Sequence, residues 1–462
     1  MELVAATHEV LADLETPVSA FLKLCGGRRP AYLFESGETV GPAGRWSVVA
    51  WRPVWRLRLW PRSCELEQAG RRRRHGWRRF FALARGVEAQ VRCAELPALP
   101  FVGALVGYLG YDLVRLVEER LGPIPEQEGP VAELCYPTRF VVFDHLRRLL
   151  TLVALDTGRQ AAERALQETA ARLEKPLAFR AARAGLRVTP PPRARFQEAV
   201  ARAKEYIAAG DIFQVVLADR FRVRGEVDPV STYRWLRVHS PSPYMFLLQL
   251  EGMTLVGSSP ETLVRLEDGR VCLRPIAGTR PRGAEPERDQ ALERELLASD
   301  KERAEHLMLV DLARNDAGRV CRIGSVAVDP YLVVERYSHV MHLVSQVGGR
   351  LRPGLDAWEV LAAAFPAGTV SGAPKVRAMQ IIDELEAAPR GVYAGAVGRF
   401  GPGAELDTCI AIRLIRFTPQ GIDLPVGAGV VADSLPEGEY AELEHKAAQG
   451  LAALAAAGEG RP

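Results

Sequence analysis

The spacing of hydrophobic residues divides the first part of the chain into strands and helices. Apolar and polar residues alternate with a period of two around 55–60 and 139–153, which is typical of antiparallel strands. The same reading predicts strands at 31–34 and 45–51, and a helical period predicts helices at 6–25 and 155–185. We therefore expect antiparallel strands mixed with amphipathic helices.

A proline cluster marks the clearest boundary in the chain. Pro190, Pro191 and Pro192 can neither continue a helix nor donate hydrogen bonds to a sheet. We therefore expect an N-terminal region, 1–187, and a C-terminal region, 188–462. In the second region the periodicity predicts strands at 212–217, 246–250, 270–276, 326–329, 340–347, 392–400, 408–416 and 424–431, and helices at 194–209, 287–314, 356–364, 374–386 and 436–456.

Composition indicates an ordinary soluble globular protein. Of its 462 residues, 48% are hydrophobic and 25% are charged, and a net charge of +3 gives no argument for a nucleic-acid or membrane partner. No window of 18 uncharged apolar residues predicts a membrane span, and the N-terminus lacks the apolar segment of a signal peptide. The seven cysteines are widely spaced without Cys-x-x-Cys, which favours free thiols in a reducing compartment. A cytoplasmic protein is expected.

Two pairs of glutamates in predicted helices suggest a metal site. Glu302 and Glu305 are three residues apart, and Glu439 and Glu442 repeat that spacing. Residues three apart share one face of an α-helix, so each pair points two carboxylates in the same direction. Taken alone, such a pair is more often an ordinary solvated face. Two such helices that converge would form an anionic, all-oxygen pocket suited to Mg²⁺.

Several polar or small residues interrupt apolar strands of the same region. Arg413 lies in a predicted strand and needs an anionic partner, because a buried unpaired guanidinium is costly. The segments Gly427-Ala428-Gly429 and Gly278-Thr279 lack bulky side chains, which leaves backbone N–H groups open to an anion. His342 in another strand is either structural or a general acid or base. Together these residues predict a pocket for a small polycarboxylate with Mg²⁺.

The basic run from Arg71 to Arg79, which includes Trp77, admits two interpretations. Arginines interleaved with an aromatic residue can bind nucleic acid. The run can also be a solvated turn followed by the basic start of a helix. The nearly neutral remainder of the chain and the lack of a second basic stripe favour the turn, so we expect no nucleic-acid partner.

Seven motifs resemble those of the chorismate-utilising enzymes, and most closely those of the large subunit (component I) of anthranilate synthases. The resemblance is dense from about 190 to 455 and looser from 20 to 60. The matching motifs are Ser259–Glu261, Pro275–Gly283, Asp300–His306, Val310–Asp316, Gly368–Lys375, Leu406–Arg413 and Gly427–Gly429.

Three positions separate the branches of that family. Isochorismate and salicylate synthases have a lysine that activates water where this chain has Gln214, and aminodeoxychorismate synthases typically have a lysine at Ala277. Without those amines, the resemblance implies ammonia as the nucleophile. The third is a pair of segments that resembles the tryptophan feedback site of anthranilate synthases. The residues of this predicted site are Glu35, Ser36, Pro243, Tyr244 and Met245. The family usually has Asn where this chain has Ser240.

The resemblance also implies a role for each motif. Mg²⁺ would bind the ring carboxylate of chorismate and be held, partly through water, by Glu302, Glu305, Glu439 and Glu442. The rest of chorismate would be bound by Gly278, Thr279, Tyr393, Arg413, Gly427, Ala428 and Gly429. Glu261 would protonate the departing C4 hydroxyl, His342 with Thr369 would assist pyruvate elimination, and Lys446 would neutralise a carboxylate or bind substrate. Where the family usually has the motif Ser-Tyr-Gly-Gly, this chain has Val392-Tyr393-Ala394-Gly395.

The implied fold is α+β, with antiparallel β-sheets packed as a sandwich and helices outside. The implied reaction gives anthranilate for tryptophan biosynthesis under tryptophan feedback. No cysteine has the sequence context of a glutaminase nucleophile, so a separate glutamine amidotransferase small subunit would supply ammonia. An aminodeoxychorismate synthase component of the folate branch is the nearest alternative, against which Ala277 argues. A catalytically dead regulatory subunit is another, and the intact glutamate quartet argues against it.

Overall fold

The computed structural model describes residues 1–37, 43–93, 95–177, 185–337, 340–401 and 405–460. Within these ranges the strands before the proline cluster are β1 (Glu2–Leu11), β2 (Ala31–Glu35), β3 (Trp46–Trp60), β4 (Ser63–Gln68), β5 (Arg71–Gly76), β6 (Arg92–Cys93), β7 (Leu105–Leu109), β8 (Ala132–Asp144), β9 (Leu149–Asp156) and β10 (Arg187–Thr189). Those after it are β11 (Gln214–Arg224), β12 (Tyr244–Leu250), β13 (Met253–Ser259), β14 (Thr262–Glu267), β15 (Arg270–Leu273), β16 (Ile276–Pro281), β17 (Ala327–Val328), β18 (Val333–Arg336), β19 (Val340–Val344), β20 (Val347–Arg350), β21 (Gly372–Ala373), β22 (Ala396–Phe400), β23 (Leu406–Ile410), β24 (Leu414–Thr418) and β25 (Gly421–Val430).

Helices connect these strands throughout the described chain. They are α1 (Pro17–Cys25), α2 (Phe80–Gln90), α3 (Arg159–Leu173), α4 (Arg193–Ala208), α5 (Pro229–His239), α6 (Pro286–Ala298), α7 (Asp300–Gly318), α8 (Ala357–Ala364), α9 (Lys375–Leu385) and α10 (Pro436–Glu459). None of the helices in the described part of the chain is long and apolar enough to cross a membrane.

Two long strands, β3 and β8, pair with each other and join two wings of antiparallel sheet. One wing continues from β3 through β2, β12, β13, β24 and β25 to β11. The other continues from β8 through β7, β22, β23, β14 and β15 to β20. A separate three-stranded sheet has the order β16-β19-β18. The predicted α+β class with extended antiparallel sheet is confirmed.

Each wing contains strands from both sides of the proline cluster. β2 pairs with β12 in one wing, and β7 pairs with β22 in the other. One continuous hydrophobic core accordingly contains residues from both predicted regions, including the fully buried Tyr32, Tyr108 and Trp358. The division at residue 187 stays a prediction.

Several predicted elements differ from the structure; the helix predicted over 155–185, for example, is β9 up to Asp156 and then α3, which ends at Leu173. Residues 6–25 are not one helix, because β1 pairs with β9 up to Leu11 and α1 begins only after Thr16, whose side chain caps it. The helix predicted over 287–314 is broken at Ser299, which caps the start of α7. The strand predicted over 408–416 is interrupted at Arg413, where φ is +51°.

The basic run also differs from the predicted turn. Arg71–Gly76 forms β5, which pairs with β4 and has no strand on its other side among the described residues. A 3₁₀ turn, Trp77–Arg79, then leads into α2. Arginines on an exposed edge strand discourage edge-to-edge pairing between molecules.

Candidate active site

The candidate site lies where the chain passes twice between the two wings. It passes from β13 to β14 through Glu261, and from β23 back to β24 through Arg413. The two crossings are bonded to each other: the N–H of Ile410 donates to the carbonyl of Glu261 at 3.0 Å, and the N–H of Ser258 donates to the carbonyl of Arg413 at 3.1 Å. Two motifs that are distant in sequence therefore meet at one place.

Glu261 has the environment of a general acid. The hydroxyl of Thr369 donates to its Oε1 at 2.8 Å. Burial raises the pKa of Glu261 to about 7, although the Thr369 hydrogen bond and the charge of Lys446 oppose the rise. A carboxyl group with this pKa can hold a proton at neutral pH and donate it to a leaving group.

His342 on β19 has one ring nitrogen engaged and the other available. Its Nδ1 lies 2.9 Å from the carbonyl oxygen of Gly278 and 3.1 Å from Oγ1 of Thr279. Because a carbonyl can only accept, Nδ1 carries the hydrogen and Nε2 keeps its lone pair. Burial lowers the pKa of His342, and the positive charge of Arg413 contributes in the same direction. The neutral ring can therefore accept a proton.

Arg413 and Tyr393 combine an exposed cation with a buried phenol. Contrary to the prediction of a buried strand position, the side chain of Arg413 is exposed, and its Nη1 donates to the carbonyl of Lys446 at 3.4 Å. Tyr393 is buried, and a Cβ on Gly427 would lie 2.7 Å from its hydroxyl, so this approach requires glycine. Burial raises the pKa of Tyr393 to about 12, which keeps the phenol protonated and able to donate to a carboxylate.

Lys446 ties α10 to the predicted anion-binding segment of β25. Its Nζ donates to the carbonyl of Gly427 at 2.9 Å and lies 2.5 Å from Oε1 of Glu442. Over residues 427–429, β25 pairs with β11, whereas its pairing with β24 ends at Asp423. In the described structure no strand covers the other edge of this segment, so backbone groups there remain open to a ligand.

The two glutamate pairs, on α7 and α10, act on each other through their charges. The pKa of Glu305 is raised first by burial and then by the charges of Glu302 and, to a smaller extent, Glu442. The pKa of Glu439 is raised by burial and by Glu442, against a hydrogen bond from Ser434. Carboxylates from both helices therefore share one anionic region, which we call the acidic cluster (Glu302, Glu305, Glu439 and Glu442).

The acidic cluster is only partly neutralised by the protein. Nη1 of Arg280 lies 3.2 Å from Oε1 of Glu302, but Arg280 also binds Glu295. Oε2 of Glu439 is buried without a hydrogen-bond partner. No three His, Cys, Asp or Glu side chains in the described ranges are close enough to hold one ion directly. Mg²⁺ typically takes one or two protein carboxylates and keeps several waters, so an open, all-oxygen cluster with an orphaned carboxylate oxygen fits this ion.

The predicted tryptophan-site segments are adjacent in the sheet. Met245 on β12 lies directly opposite Glu35 on β2. The carboxylate of Glu35 is buried and accepts hydrogen bonds from the hydroxyl of Tyr233 at 2.5 Å and from Nε of Arg237 at 3.2 Å. We call Glu35, Ser36, Pro243, Tyr244 and Met245, with Tyr233 and Arg237, the regulatory corner.

Hydrogen bonds fix the loop that enters β12. The carbonyl of Ser242, which precedes Pro243, accepts from the N–H of Gly37, which follows Ser36, at 2.7 Å. The hydroxyl of Tyr244 donates to Oδ1 of Asp407 at 2.9 Å. The residues predicted to form this site are thus brought together, while tryptophan binding itself stays a prediction.

Sequence reasoning missed Arg280 and Arg390. Arg280 lies inside the Pro275–Gly283 motif, but only the packing of β16 against α7 reveals its contact with Glu302. Arg390 is buried and donates to the carbonyls of Val370 and Val216 at 2.6 and 2.7 Å, which fixes the loop that carries Thr369. The sequence signal that could have indicated Arg390 is its position, as a charged residue, close to the apolar run around Tyr393.

The fold is shared with solved enzymes. Anthranilate synthase component I from Streptococcus pneumoniae superposes with a TM-score of 0.79 at 34% sequence identity, covering 96% of this chain and 99% of that chain. The menaquinone-specific isochorismate synthase of Escherichia coli superposes with a TM-score of 0.74 at 20% identity, covering 97% and 94%, and shows the fold alone. The architecture is therefore that of an enzyme scaffold.

Sequence comparison identifies the family. A family described as chorismate binding enzyme matches residues 29–452. Anthranilate synthase component 1 of Pseudomonas putida is 44% identical over 460 residues, covering 95% of this chain and 92% of that protein. The chain belongs to the chorismate-binding enzymes, so the predicted resemblance and the prediction of an enzyme are confirmed.

Proposed function

We propose that this chain is a lyase that converts chorismate and ammonia into anthranilate and pyruvate, as the large subunit of an anthranilate synthase. One observation carries the proposal: Glu261, a buried carboxyl group with a pKa of about 7 that accepts the hydroxyl of Thr369, is influenced by the charge of Lys446, and Lys446 is paired with Glu442 of the acidic cluster. Such an arrangement supports a proton donor that acts close to a region suited to the metal-bound carboxylate of a substrate.

Each side chain has a defined task in this proposal. Glu261 protonates the C4 hydroxyl, which leaves as water while ammonia adds at C2, and the added nitrogen then loses a proton, which restores the acid form of Glu261. His342 then accepts the C2 proton at Nε2, the electrons of the C2–H bond enter the ring, and the C3–O bond breaks. The enolpyruvate that leaves takes up a proton and becomes pyruvate, and the ring becomes aromatic.

Substrate binding divides between two groups of residues. Arg413 and Tyr393 donate to the enolpyruvyl carboxylate, together with backbone N–H groups of Gly427–Gly429. Mg²⁺, held by Glu302, Glu305, Glu439 and Glu442, would supply Lewis-acid stabilisation of the ring carboxylate. Lys446 limits the repulsion between Glu442 and the substrate.

Ammonia is proposed to come from a separate glutaminase subunit. Neither Gln214 nor Ala277 provides an amine that could activate water or attack the ring. All seven cysteines are free, and burial raises the pKa of the Cys64 and Cys409 thiols to about 12, which is unsuited to a nucleophile. Tryptophan is proposed to bind at the regulatory corner and to inhibit allosterically.

The test is to incubate the purified chain with chorismate, Mg²⁺ and an ammonium salt at alkaline pH. The proposal predicts fluorescent anthranilate with an equimolar amount of pyruvate, and suppression of both by tryptophan. Consumption of chorismate without pyruvate would instead assign the chain to the folate branch. A chain that leaves chorismate unchanged under these conditions would contradict the proposed activity.

A further inference from the structure

A cavity of about 120 Å³ lies against Tyr393, and four of its eleven lining residues are arginines. We call it the arginine cavity. None of its charged residues belongs to the acidic cluster or to the proposed catalytic groups. Its charged lining residues are Arg195, Arg220, Arg222, Arg390, Asp219 and Glu386.

The acids of the arginine cavity are already neutralised. Glu386 lies 2.5 Å from Arg390 and accepts the N–H of Ala218 at 2.8 Å. Asp219 is paired with Arg195. Four arginines against two acids leave a net charge of +2 in the lining.

Arg220 carries much of this unbalanced charge. Its guanidinium is half-buried, and within the described structure it makes one side-chain hydrogen bond, from Nη2 to the carbonyl of Pro389 at 2.6 Å. Asp423, which also attracts it, is bonded to Arg416. Burial lowers the pKa of Arg220, and the like charges of Arg416 and Arg222 add to that effect. A guanidinium with most of its donors unused favours an anionic ligand.

We propose that the arginine cavity binds a small oxyanion, either a carboxylate or a phosphate. A water molecule occupies about 30 Å³ in the liquid, so the cavity has room for a ligand of about the size of four waters. The planar fork of Arg220 matches two oxygens of such an anion, and Arg222 lies two residues along the same strand.

Tyr393 gives this site a physical connection to the candidate active site. The same side chain lines the arginine cavity and approaches Gly427. If Tyr393 also holds the substrate carboxylate, as in the proposed function, an anion in the cavity changes the KM for chorismate. Binding of the anion itself does not depend on that function.

Calorimetric titration of the full chain with sodium phosphate and with sodium pyruvate tests the site. Sodium chloride at equal ionic strength serves as the reference. We expect saturable binding of at least one oxyanion to the wild type, and at least tenfold weaker binding to Arg220→Met. Arg224→Met removes the same charge from an exposed position on the same strand outside the cavity, and its affinity is expected to stay within twofold of the wild type.

The variants also separate binding from damage to the fold. Arg222→Met, at an exposed position on the cavity wall, is expected to weaken binding severalfold while its melting temperature stays at the wild-type value. Phosphate binding alone would assign a phosphate ligand, and pyruvate binding alone a carboxylate. Equal affinity in Arg220→Met, no saturable heat with either anion, or equal competition by chloride would overturn the proposal.

Discussion

The regulatory corner and the acidic cluster both hold buried or half-buried glutamates, but the protein satisfies only the first. Glu35 accepts hydrogen bonds from Tyr233 and Arg237 and lies near Ser47. In the acidic cluster, Oε2 of Glu439 has no hydrogen-bond partner among the described residues, and the pKa of Glu305 is raised by burial and then by the charges of Glu302 and Glu442. Buried polar groups are normally paired, so an exception indicates either strain or a missing ligand.

Under the proposed function, the difference separates a region that serves stability from one that serves the reaction. A paired carboxylate such as Glu35 links β2 to α5 and contributes to the fold. Like charges on α7 and α10 repel each other, so the acidic cluster costs stability when no cation is bound, and the proposed Mg²⁺ would offset that cost. Substitutions in the two regions should therefore have opposite consequences for stability and activity.

The largest expected effect is that of Glu305→Gln. The change removes one charge of the acidic cluster without changing the size of the side chain. We expect anthranilate formation at saturating Mg²⁺ to fall by about 1000-fold, equivalent to about 4 kcal/mol. The free energy of unfolding without metal should rise by about 1 kcal/mol, because repulsion is relieved. Steady-state kinetics and urea unfolding measure the two effects.

Asp311→Asn is the matched control on the same helix. Asp311 is exposed and pairs with Arg314 at 2.8 Å, away from the acidic cluster. Its activity should stay within twofold of the wild type. If Glu305→Gln kept more than a tenth of the activity, the acidic cluster would have no part in the reaction.

Glu261 should give the rate its dependence on pH. With a pKa of about 7, Glu261 is protonated below that pH, so the rate, corrected for the concentration of free ammonia, should fall as pH rises through about 7. Thr369→Val removes a hydrogen bond that stabilises the carboxylate, so the pKa rises and the decline moves to higher pH. Glu261→Gln should lower kcat by about 100-fold or more.

A pH profile measured at constant free ammonia checks this assignment. Thr232→Val is the control, because Thr232 is a buried threonine that donates to a backbone carbonyl instead of a carboxylate. Its profile should match that of the wild type. A decline that moved to lower pH in Thr369→Val would contradict the role given to this hydrogen bond.

Glu35→Gln should affect stability and regulation instead of chemistry. The substitution weakens the bonds to Tyr233 and Arg237, and we expect a loss of about 2 kcal/mol in the free energy of unfolding. The kcat with ammonia should stay within threefold, whereas inhibition by tryptophan should weaken by at least tenfold. Activity that fell as far as in Glu305→Gln would remove the contrast between the two regions.

The smallest effect concerns Ala394, which has a φ of +63°. A left-handed conformation costs an alanine about 1–2 kcal/mol, and glycine adopts it freely but loses more entropy on folding. Ala394→Gly should therefore stabilise the protein by about 0.5–1 kcal/mol in calorimetric melting. Ala396→Gly, at a buried position of β22, should destabilise it, and two changes of the same sign would contradict this explanation.

Local patterns predicted the parts of the site that lie within single elements. Helical spacing alone aligned Glu302 with Glu305 and Glu439 with Glu442, and motif resemblance supplied Glu261 and His342. The convergence of α7 with α10 and the meeting of the two wing crossings depend on long-range pairing that no local window contains. For the same reason the local pattern wrongly predicts that Arg413 lies inside a strand. Its left-handed backbone is set by the passage of the chain from β23 to β24 and not by its apolar neighbours in the sequence.

Residues 6–25 show a related limit. The start signal for α1, Thr16 followed by Pro17, is present in the sequence, but the apolar residues before it fit a helix as well as a strand. Pairing of β1 with β9 decided between them. The contacts of Arg280 and Arg390 likewise became visible only after the sheets had been assembled.

The most direct measurement is a titration of activity with Mg²⁺ for the wild type, Glu439→Gln and Glu437→Gln. Glu437 is exposed in the first turn of α10, whereas Glu439 carries the unpartnered carboxylate oxygen. We predict that the wild type and Glu437→Gln share one activation curve, and that Glu439→Gln needs at least tenfold more Mg²⁺. Superimposable curves for all three proteins, or full activity without Mg²⁺, would contradict the assignment of the acidic cluster as the metal site.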